Sequence, residues 1–354
     1  MAFELYSLVR KNIRSLIPYS SARGEYGGDA RIFLDANENA FGSPLGNLYN
    51  RYPDPLQTGI KDRLAEANNI MPSQIFIGNG SDEAIDLLIR IFCRPGIDNI
   101  LICPPTYGMY EVAAGINNIA VKKANLTADF QLHPETITGH IDENTKVIFL
   151  CSPNNPTGNL LKREAILALT ENFQGIVAVD EAYIQYSGKP SLTEKLKDLQ
   201  NLVVLQTFSK AWGLAGLRVG VAFASEEIVA FLNKVKPPYN VSEFAQLAVA
   251  EALQNKEMVQ KTIELTIFER KKLETALKGF RCVRKIYPSD ANFLLVKVTN
   301  AADMYSYLLS ERIVVRNRSN VVLCEECLRI TIGTPEENQD LIRAVGIYEK
   351  SFIH

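Results

Sequence analysis

Short apolar runs alternate with longer segments of helical periodicity through the first two thirds of the chain. Residues 75–77 form one apolar run, and the segment 82–92 that follows has its apolar positions 85, 88, 89 and 92 on one helical face. Further apolar runs lie at residues 100–103, 119–121, 147–150, 176–179, 202–205 and 219–223. Several of these runs are continuously apolar, which is typical of strands that are buried on both faces of a mostly parallel sheet covered by helices.

The pattern changes near residue 236, where the sequence KPPYN interrupts it. Helical periodicity then covers 243–254 and 257–278, short strands are predicted near 281–287, 292–298 and 328–332, and a last helix begins at about 335. We therefore predict an α/β fold with a large domain at 45–235 and a smaller α+β domain at 236–354. Residues 1–44 are predicted to form an arm that packs on the small domain or on a partner chain.

Composition narrows the classes of function. The 354 residues are 47% hydrophobic and 22% charged, which is ordinary for a globular protein. Lys and Arg total 38 against 40 Asp and Glu, so no broad basic surface for nucleic acid is expected. No apolar run is long enough to cross a bilayer, and the N-terminus lacks the apolar core of a signal peptide. We expect a cytoplasmic protein with neither nucleic acid nor membrane as partner.

The six cysteines mostly lie within apolar runs, so we predict reduced, buried thiols. Cys324 and Cys327 have the spacing of half a zinc site, but no second Cys or His pair lies nearby to complete it. Neither a metal nor a disulfide is expected there. The three histidines lie in no motif, so catalysis by histidine is not expected.

Ligands of an open α/β sheet bind beyond the carboxyl ends of the strands. After the run at 75–77 comes GNGSDE at 78–83, which opens a helix and can offer backbone N–H groups to an anion. The segment is neither a P-loop nor a GxGxxG motif, and an ordinary turn and cap would look the same. The loop SPNNPTG at 152–158 follows another run; taken alone, it could be merely a rigid turn.

Two further strand ends carry charged side chains. Asp180 ends the run at 176–179, and a carboxylate buried there needs a partner. Lys210 follows the run at 202–205, with hydroxyls at Thr207 and Ser209 and a guanidinium at Arg218. A lysine in this position could instead extend to solvent. Together these strand ends hold what a phosphorylated aromatic aldehyde cofactor needs: a lysine for a Schiff base, a carboxylate for the ring nitrogen and an anion site.

The chain resembles the fold-type I pyridoxal-phosphate aminotransferases and, among them, the histidinol-phosphate aminotransferase subgroup. The general motifs are SPNNPTG at 152–158, DEAY at 180–183, and SK at 209–210 with Arg218. The subgroup motifs are PYSSAR at 18–23, LDANEN at 34–39, RYPDP at 51–55, VRNR at 315–318 and LRITIG at 328–333. The resemblance covers nearly the whole chain.

The resemblance implies a role for each matching residue. Lys210 forms the Schiff base and moves the proton, Asp180 pairs with the pyridine nitrogen, and Tyr107 stacks on the ring. Asn155 and Tyr183 contact the ring oxygen. The residues implied to bind the cofactor phosphate are Ser81 and Asp82 through their backbone, Thr207, Ser209, Arg218 and, from the other subunit of a homodimer with shared sites, Tyr52. The residues implied to line the substrate site are Tyr19, Asn37, Arg316 and Arg329. Arg318, beside Arg316, leaves open which arginine meets the substrate phosphate.

The activity implied is the exchange of an amino group between L-histidinol phosphate with 2-oxoglutarate and imidazole acetol phosphate with L-glutamate. Threonine-phosphate decarboxylase and aromatic amino-acid aminotransferase remain alternatives, because they share the fold and many motifs. A pyridoxal-phosphate-sensing regulator is a third alternative. We do not favour it, because only about 40 residues precede the cofactor-domain pattern and no DNA-binding module is expected in them.

Overall fold

A computed structural model describes residues 3–19, 32–46 and 49–352. Of the PYSSAR motif, residues 20–23 lie outside this part of the chain. The described residues form a seven-stranded sheet and a four-stranded sheet, with helices packed on both. The helices are α1 Leu5–Leu8, α2 Lys11–Arg14, α3 Thr58–Asn68, α4 Ser81–Phe92, α5 Met109–Ile116, α6 Pro134–His140, α7 Arg163–Asn172, α8 Glu226–Val235, α9 Glu243–Ala252, α10 Lys256–Leu277, α11 Ala301–Ser310 and α12 Pro335–Phe352. No helix in the described ranges combines the length and the apolarity that a membrane span requires.

The large sheet has the strand order β1-β7-β6-β5-β4-β2-β3. Its strands are β1 Ile75–Gly78, β2 Asn99–Ile102, β3 Ala120–Lys123, β4 Thr145–Cys151, β5 Ile176–Asp180, β6 Leu202–Thr207 and β7 Gly220–Phe223. The neighbours from β3 to β6 run parallel, whereas β7 runs antiparallel to both β1 and β6. Each of these strands overlaps one of the predicted apolar runs; the runs at 100–103, 119–121 and 219–223 each extend one residue beyond the strand.

The continuously apolar runs are explained by burial on both faces of this sheet. In β5, Val177 and Val179 belong to one hydrophobic cluster, while Ile176 and Ala178 belong to a second cluster on the opposite face. Successive side chains of a strand point to opposite faces, so a strand covered on both sides has no solvent-exposed position that favours a polar residue. The physical cause of the uninterrupted hydrophobicity is therefore the double layer of helices.

Helix α4 follows β1 and begins at the edge of the sheet where the site lies. The predicted face at 85, 88, 89 and 92 is buried, but Ala84, Leu87 and Ile91 are buried as well. The helix contacts β7 on one side and α5 and α8 on the others, so its buried surface is wider than one stripe. Its mostly polar first turn, Ser81 to Glu83, is the part left for a ligand.

The second sheet is antiparallel, in the order β10-β11-β9-β8. Its strands are β8 Val283–Ile286, β9 Phe293–Val298, β10 Arg316–Asn317 and β11 Cys327–Thr331, and a separate hydrophobic cluster joins them to α10, α11 and α12. Helix α9 packs instead beside the large sheet. Ala245 and Val249 belong to a hydrophobic cluster that includes residues of that sheet, and Gln246 donates to the Asp54 carbonyl. The boundary at 235/236 remains a proposal.

The start of the N-terminal arm packs on α4 beside the large sheet. Leu5, Val9 and Ile13 join the cluster formed by α4 and the large sheet, and the Arg10 backbone N–H donates to the Ile91 carbonyl at 3.0 Å. Lys234 Nζ donates to the Arg14 carbonyl. We expected the arm to contact the small domain or a partner chain. Its described residues 5–14 contact α4, α8 and the large sheet, because their apolar side chains complete the layer outside α4. Contact of the arm with the small domain or with a partner chain stays a prediction.

Candidate active site

The carboxyl ends of three neighbouring strands form the floor of the site. Strands β4, β5 and β6 end at Cys151, Asp180 and Thr207. Strand β7 enters the sheet in the opposite direction, so that Gly220 pairs with Thr207 on one side and with Gly78 on the other. The strand reversal therefore brings the loop before β7 to the same edge as the start of α4.

A cavity of about 320 Å³ opens at this edge. It is lined by Ser81, Asp82, Tyr107, Cys151, Asn155, Asp180, Ala182, Tyr183, Thr207, Ser209, Lys210, Arg218, Arg316, Arg318 and Arg329. Apart from Tyr19, Asn37 and Tyr52, every residue that the sequence nominated is in this set. Segments more than 200 residues apart along the chain thus meet in one space.

The N-terminus of α4 forms an anion cradle. Gly80 has a φ of +81°, and a Cβ there would lie 2.7 Å from Arg218 Nη2. A Cβ on Gly220 would lie 2.1 Å from the Ser81 backbone nitrogen, so glycine is what lets β7 approach the helix. Arg218 Nη1 donates to Ser209 Oγ at 3.3 Å, and Nη2 pairs with Asp82 Oδ2 at 3.3 Å. Hydroxyl, guanidinium and helix N–H groups therefore converge where a phosphate can bind.

Asp180 is a buried carboxylate with 3% of its surface exposed. Its oxygens accept hydrogen bonds from the Tyr110 hydroxyl at 2.9 Å and from the Ala182 backbone N–H at 3.1 Å. Burial raises the pKa of Asp180 to about 6, and these two donors counteract part of the rise. A cationic ring nitrogen beside this carboxylate would favour its charged form.

Lys210 shares the cavity with this carboxylate. Its Nζ lies 5.9 Å from the centroid of the Tyr183 ring. Partial burial, followed by the positive charges of Arg329 and Arg218, lowers the pKa of Lys210. A lowered pKa leaves more of the lysine as the neutral amine near neutral pH, and the neutral amine is the form that the chemistry predicted for Lys210 needs as nucleophile and base.

Polar side chains join the remaining walls to each other. Asn155 Nδ2 donates to the Tyr183 hydroxyl at 3.5 Å, and Arg329 donates to Asn155 Oδ1. Burial raises the pKa of Tyr183, so its hydroxyl keeps its proton. The Tyr107 hydroxyl donates to Asp82 Oδ1 at 3.2 Å. These contacts fix the orientation of side chains that the sequence assigned to the ring oxygen and the ring face.

Three arginines come from the second sheet. Arg316 of β10 is paired directly opposite Arg329 of β11 in the antiparallel register. Arg318 lies two residues after Arg316, hence on the same face of the strand, and its backbone N–H continues the pairing by donating to the Cys327 carbonyl. Like charges placed opposite each other in a sheet repel. Among the described residues, no carboxylate forms a salt bridge with any of the three.

Tyr19, Asn37 and Tyr52 line a different cavity, of about 920 Å³. Tyr19 is 74% exposed and Tyr52 is 49% exposed, and the Tyr52 ring stacks on Tyr239 with centroids 4.5 Å apart. The Glu38 carboxylate holds this region together by accepting from Arg51 Nη1 and from the Tyr52 backbone N–H, both at 2.6 Å. Within one chain, the structure does not bring these three residues to Lys210.

Besides Ala182, three residues at or near the cavity were not assigned a role by the sequence. Arg318 was noticed and left open, whereas Tyr110 and Cys151 were missed. Tyr110 lies three residues after Tyr107, in the first turn of α5, and Cys151 follows the apolar run of β4 directly. In the sequence, both look like core residues. Only the folded structure, in which the Tyr110 ring stacks on Phe149 of β4, directs the Tyr110 hydroxyl toward Asp180.

Comparison with known proteins agrees with this geometry. The family model for aminotransferase class I and II matches residues 24–345. The chain belongs to this family. A histidinol-phosphate aminotransferase of Parabacteroides distasonis is 53% identical over 97% of this chain and 98% of its own length.

Two solved structures are also similar. The histidinol-phosphate aminotransferase from Clostridium acetobutylicum superposes with a TM-score of 0.79, at 25% identity over 85% of this chain and 91% of that one. The L-threonine-O-3-phosphate decarboxylase from Porphyromonas gingivalis gives 0.72, at 26% identity over the same shares of the two chains.

The chain is a pyridoxal-phosphate-dependent aminotransferase that acts on small molecules, and it has the aspartate-aminotransferase-like fold. The predicted family, fold class and cofactor are thereby confirmed. The donor set fits this cofactor, because one cavity contains a lysine, a buried carboxylate and a cradle that glycine keeps open for a phosphate. In the part of the chain that the structure describes, no cluster of His, Cys, Asp and Glu could hold a metal ion.

Proposed function

We propose that this chain exchanges an amino group between L-histidinol phosphate and 2-oxoglutarate, giving imidazole acetol phosphate and L-glutamate. The observation that carries the proposal is the cluster of Arg316, Arg318 and Arg329 in the cavity that also contains Lys210 and Asp180. The names of the relatives support the same substrate. A cluster of three guanidinium groups, none of which forms a salt bridge with a carboxylate among the described residues, suits a phosphorylated substrate better than an aromatic one.

The cofactor, when bound, supplies an aldehyde that captures the amine and a ring that withdraws electrons. The chain's own residues do the rest. Lys210 Nζ removes a proton from the substrate carbon that bears the amino group. The same amine would return that proton to the carbon atom of the cofactor that carries the aldehyde. Its lowered pKa favours the neutral amine that the first step needs. Asp180 holds the ring nitrogen in its protonated form.

The two amino-group donors differ in size but share a negative charge. L-Histidinol phosphate carries a phosphate, and L-glutamate carries a second carboxylate. The planar guanidinium group bonds both kinds of anion through two parallel N–H groups. Arg316 and Arg329 face each other across the strand pair, so a single anion between them can accept from both. We propose that the two substrates use this cluster in turn.

We further propose a homodimer with shared active sites. Tyr19, Asn37 and Tyr52 line a cavity apart from Lys210, and the exposed Phe244 side chain lines the same cavity. Leu56, four residues after Tyr52, and Leu247, three residues after Phe244, are exposed as well. A two-fold axis would bring this surface of one subunit to the cofactor cavity of the other. Tyr52 then reaches the phosphate of the partner's cofactor.

Mixing two inactive variants tests this assembly. Lys210→Ala chains and Tyr52→Ala chains are combined under conditions that exchange subunits, with each variant alone as control. If Tyr52 acts on the partner's cofactor, one site of every heterodimer contains both lesions and the other contains none, so activity reappears. Verified exchange without recovery would refute the shared site and leave the aminotransferase activity standing.

The domain boundaries at 45–235 and 236–354 and a cytoplasmic location also remain proposals. All six cysteines are buried free thiols, which supports a reducing compartment.

The decisive assay offers purified protein L-histidinol phosphate with 2-oxoglutarate and measures L-glutamate. Parallel reactions contain threonine phosphate, with CO₂ as the product measured, and phenylalanine with 2-oxoglutarate. Glutamate formation from histidinol phosphate at a far higher kcat/KM than from phenylalanine, without CO₂ release, is the expected result. CO₂ from threonine phosphate would move the chain to the decarboxylases, which one similar structure represents.

A further inference from the structure

Tyr110 is a fully buried tyrosine behind the wall of the cofactor cavity. It lies on α5 and has 0% of its surface exposed. Its ring stacks on Phe149 of β4, with centroids 4.9 Å apart and an interplanar angle of 10°. The Tyr107 ring meets it edge-on at 5.5 Å and 86°. Two aromatic neighbours therefore fix the ring and, with it, the direction of the hydroxyl.

The hydroxyl donates to Asp180 Oδ2 at 2.9 Å. Among the described residues, Tyr110 is the only side chain with a hydrogen bond to this carboxylate, and the other donor is the Ala182 backbone N–H. Tyr110 does not line the cavity, whereas Asp180 does. Tyr110 can therefore act on the cofactor through Asp180 without touching it.

The remaining groups around Asp180 leave its charge poorly compensated. Burial opposes ionisation, and Asp82 adds a like charge. Lys210 contributes an attraction that is smaller than either hydrogen bond. The Cys151 thiol, the third group beside Tyr110 and Asp180, keeps its proton because burial raises its pKa. Tyr107 and Tyr183 are neutral phenols, since burial raises the pKa of both.

We infer that Tyr110 is a positioning residue that keeps Asp180 ionised and turned toward the cofactor. The inference rests on the proposed pairing of Asp180 with the ring nitrogen. A hydrogen bond to a charged group contributes more than one between neutral groups, and its loss inside a protein is not made good by water. The alternative is that Tyr110 serves only as an aromatic core residue, which the stacking on Phe149 would explain by itself.

Tyr110→Phe separates the two readings, because it removes one oxygen and keeps the ring. Tyr186→Phe is the matched control: Tyr186 is also buried and near the site, but it lines no part of the cavity. We expect the dissociation constant of pyridoxal phosphate to rise about three- to thirtyfold in Tyr110→Phe and to stay unchanged in the control.

The second readout is the pH profile of the half-reaction with L-glutamate between about pH 5.5 and 8.5, followed by the absorbance of the bound cofactor. Without the donor, Asp180 takes up a proton more easily. The acidic limb of Tyr110→Phe should therefore move up by about one pH unit, so that the loss is greater at low pH. Equal loss at every pH, or a limb and affinity like those of wild type, would overturn the inference.

A fluorotyrosine at position 110 tests the opposite direction and keeps the inference testable if phenylalanine disturbs folding. Its hydroxyl is a stronger donor, so the acidic limb should move down; a limb that stays in place or moves up counts against the inference. Asp180→Asn belongs in the same series. If Asp180→Asn behaves like wild type, the pairing of Asp180 with the cofactor is wrong, and the role of Tyr110 falls with it. If Asp180→Asn is slow while Tyr110→Phe is normal, only the inference about Tyr110 falls. The glutamate half-reaction is independent of the preference for histidinol phosphate.

Discussion

The floor of the cavity, at the carboxyl ends of β4, β5 and β6, differs from the arginine wall, formed by Arg316, Arg318 and Arg329, in how its polar groups are paired. On the floor, Asp180 has two donors from its own chain, and Asn155 is bonded to Tyr183 and Arg329. On the wall, Arg316 and Arg318 stand with Arg329 on one face of a strand pair, and none of the three forms a salt bridge with another described residue. Burial and mutual repulsion lower the pKa of Arg318 and Arg329.

The difference follows from what each region is proposed to hold. A cofactor that stays in place can be met by groups whose hydrogen bonds are already made, which costs no reorganisation. Two substrates with different anions are better met by arginines that form no salt bridge with a described carboxylate, since such a carboxylate would compete with both substrates. The floor is therefore fixed by the chain, and the wall is completed by the ligand.

The largest effect is expected at Lys210, where the floor and the wall meet. Lys210→Ala removes both the nucleophile and the base, so turnover should fall by about four orders of magnitude or more. Borohydride reduction of the wild type should fix the cofactor covalently to the peptide that contains Lys210. Lys189→Ala, at an exposed lysine, is the control. Measurable turnover at the wild-type rate in Lys210→Ala would end the assignment.

Asp180→Asn should come next, because it keeps the shape of the floor and removes its charge. The proton-transfer step should slow by about two to three orders of magnitude, whereas the cofactor should still bind, with an affinity lowered at least as much as in Tyr110→Phe. Single-turnover absorbance with glutamate measures the step directly. A near-normal rate would show that the carboxylate is structural.

The arginine wall should give a smaller but selective effect. Arg316→Ala and Arg329→Ala should each lower kcat/KM for L-histidinol phosphate about ten- to a hundredfold, and that for unphosphorylated histidinol much less. Arg318→Ala shows whether the third guanidinium contacts the phosphate as well. Arg284→Ala, at an exposed arginine of the same small sheet, is the control. Equal losses on both substrates would mean that an arginine shapes the site without binding the phosphate.

The smallest effect is expected at Glu181, which follows Asp180 but points away from the cavity. Its carboxylate accepts from Ser191, Gln206 and the Leu192 backbone, and burial raises its pKa to about 7. Because the folded-state pKa is raised, the folded state holds a proton that the unfolded state releases. The stability linked to this group is thus present below about pH 4.5 and is lost as pH rises through 7.

Glu181→Gln should therefore gain stability relative to wild type as pH rises from about 5 to 8, by on the order of 1–3 kcal/mol, with activity nearly unchanged. Urea unfolding at several pH values measures the difference, and Glu171→Gln, at an exposed carboxylate, is the control. A stability difference that does not vary with pH would show that Glu181 has the same pKa in both states.

The strands of the large sheet could be predicted from the sequence, because burial under helices is the main reason for a continuous apolar run. Every predicted strand of the large sheet is present. Burial on both faces explains the apolar runs of six of them, whereas the edge strand β3 is partly exposed. The antiparallel direction of β7 had no such signal, because a strand is equally apolar in either direction. The position of the arm could not be predicted either. Leu5, Val9 and Ile13 give the arm an apolar face, but the sequence does not specify which surface of the protein that face contacts.

The sequence by itself determined the chemistry of this protein. The lysine, the carboxylate, the glycine-rich helix start and the arginine pairs stand in motifs specific enough to predict the cofactor and the family. The tertiary structure decided which of these residues share a space. It placed Arg318 on one face with Arg316, joined Tyr110 to Asp180 and kept Tyr52 away from Lys210 of its own chain. A motif records residues that are near in sequence, whereas hydrogen bonds and repulsion act between atoms that only folding brings within reach.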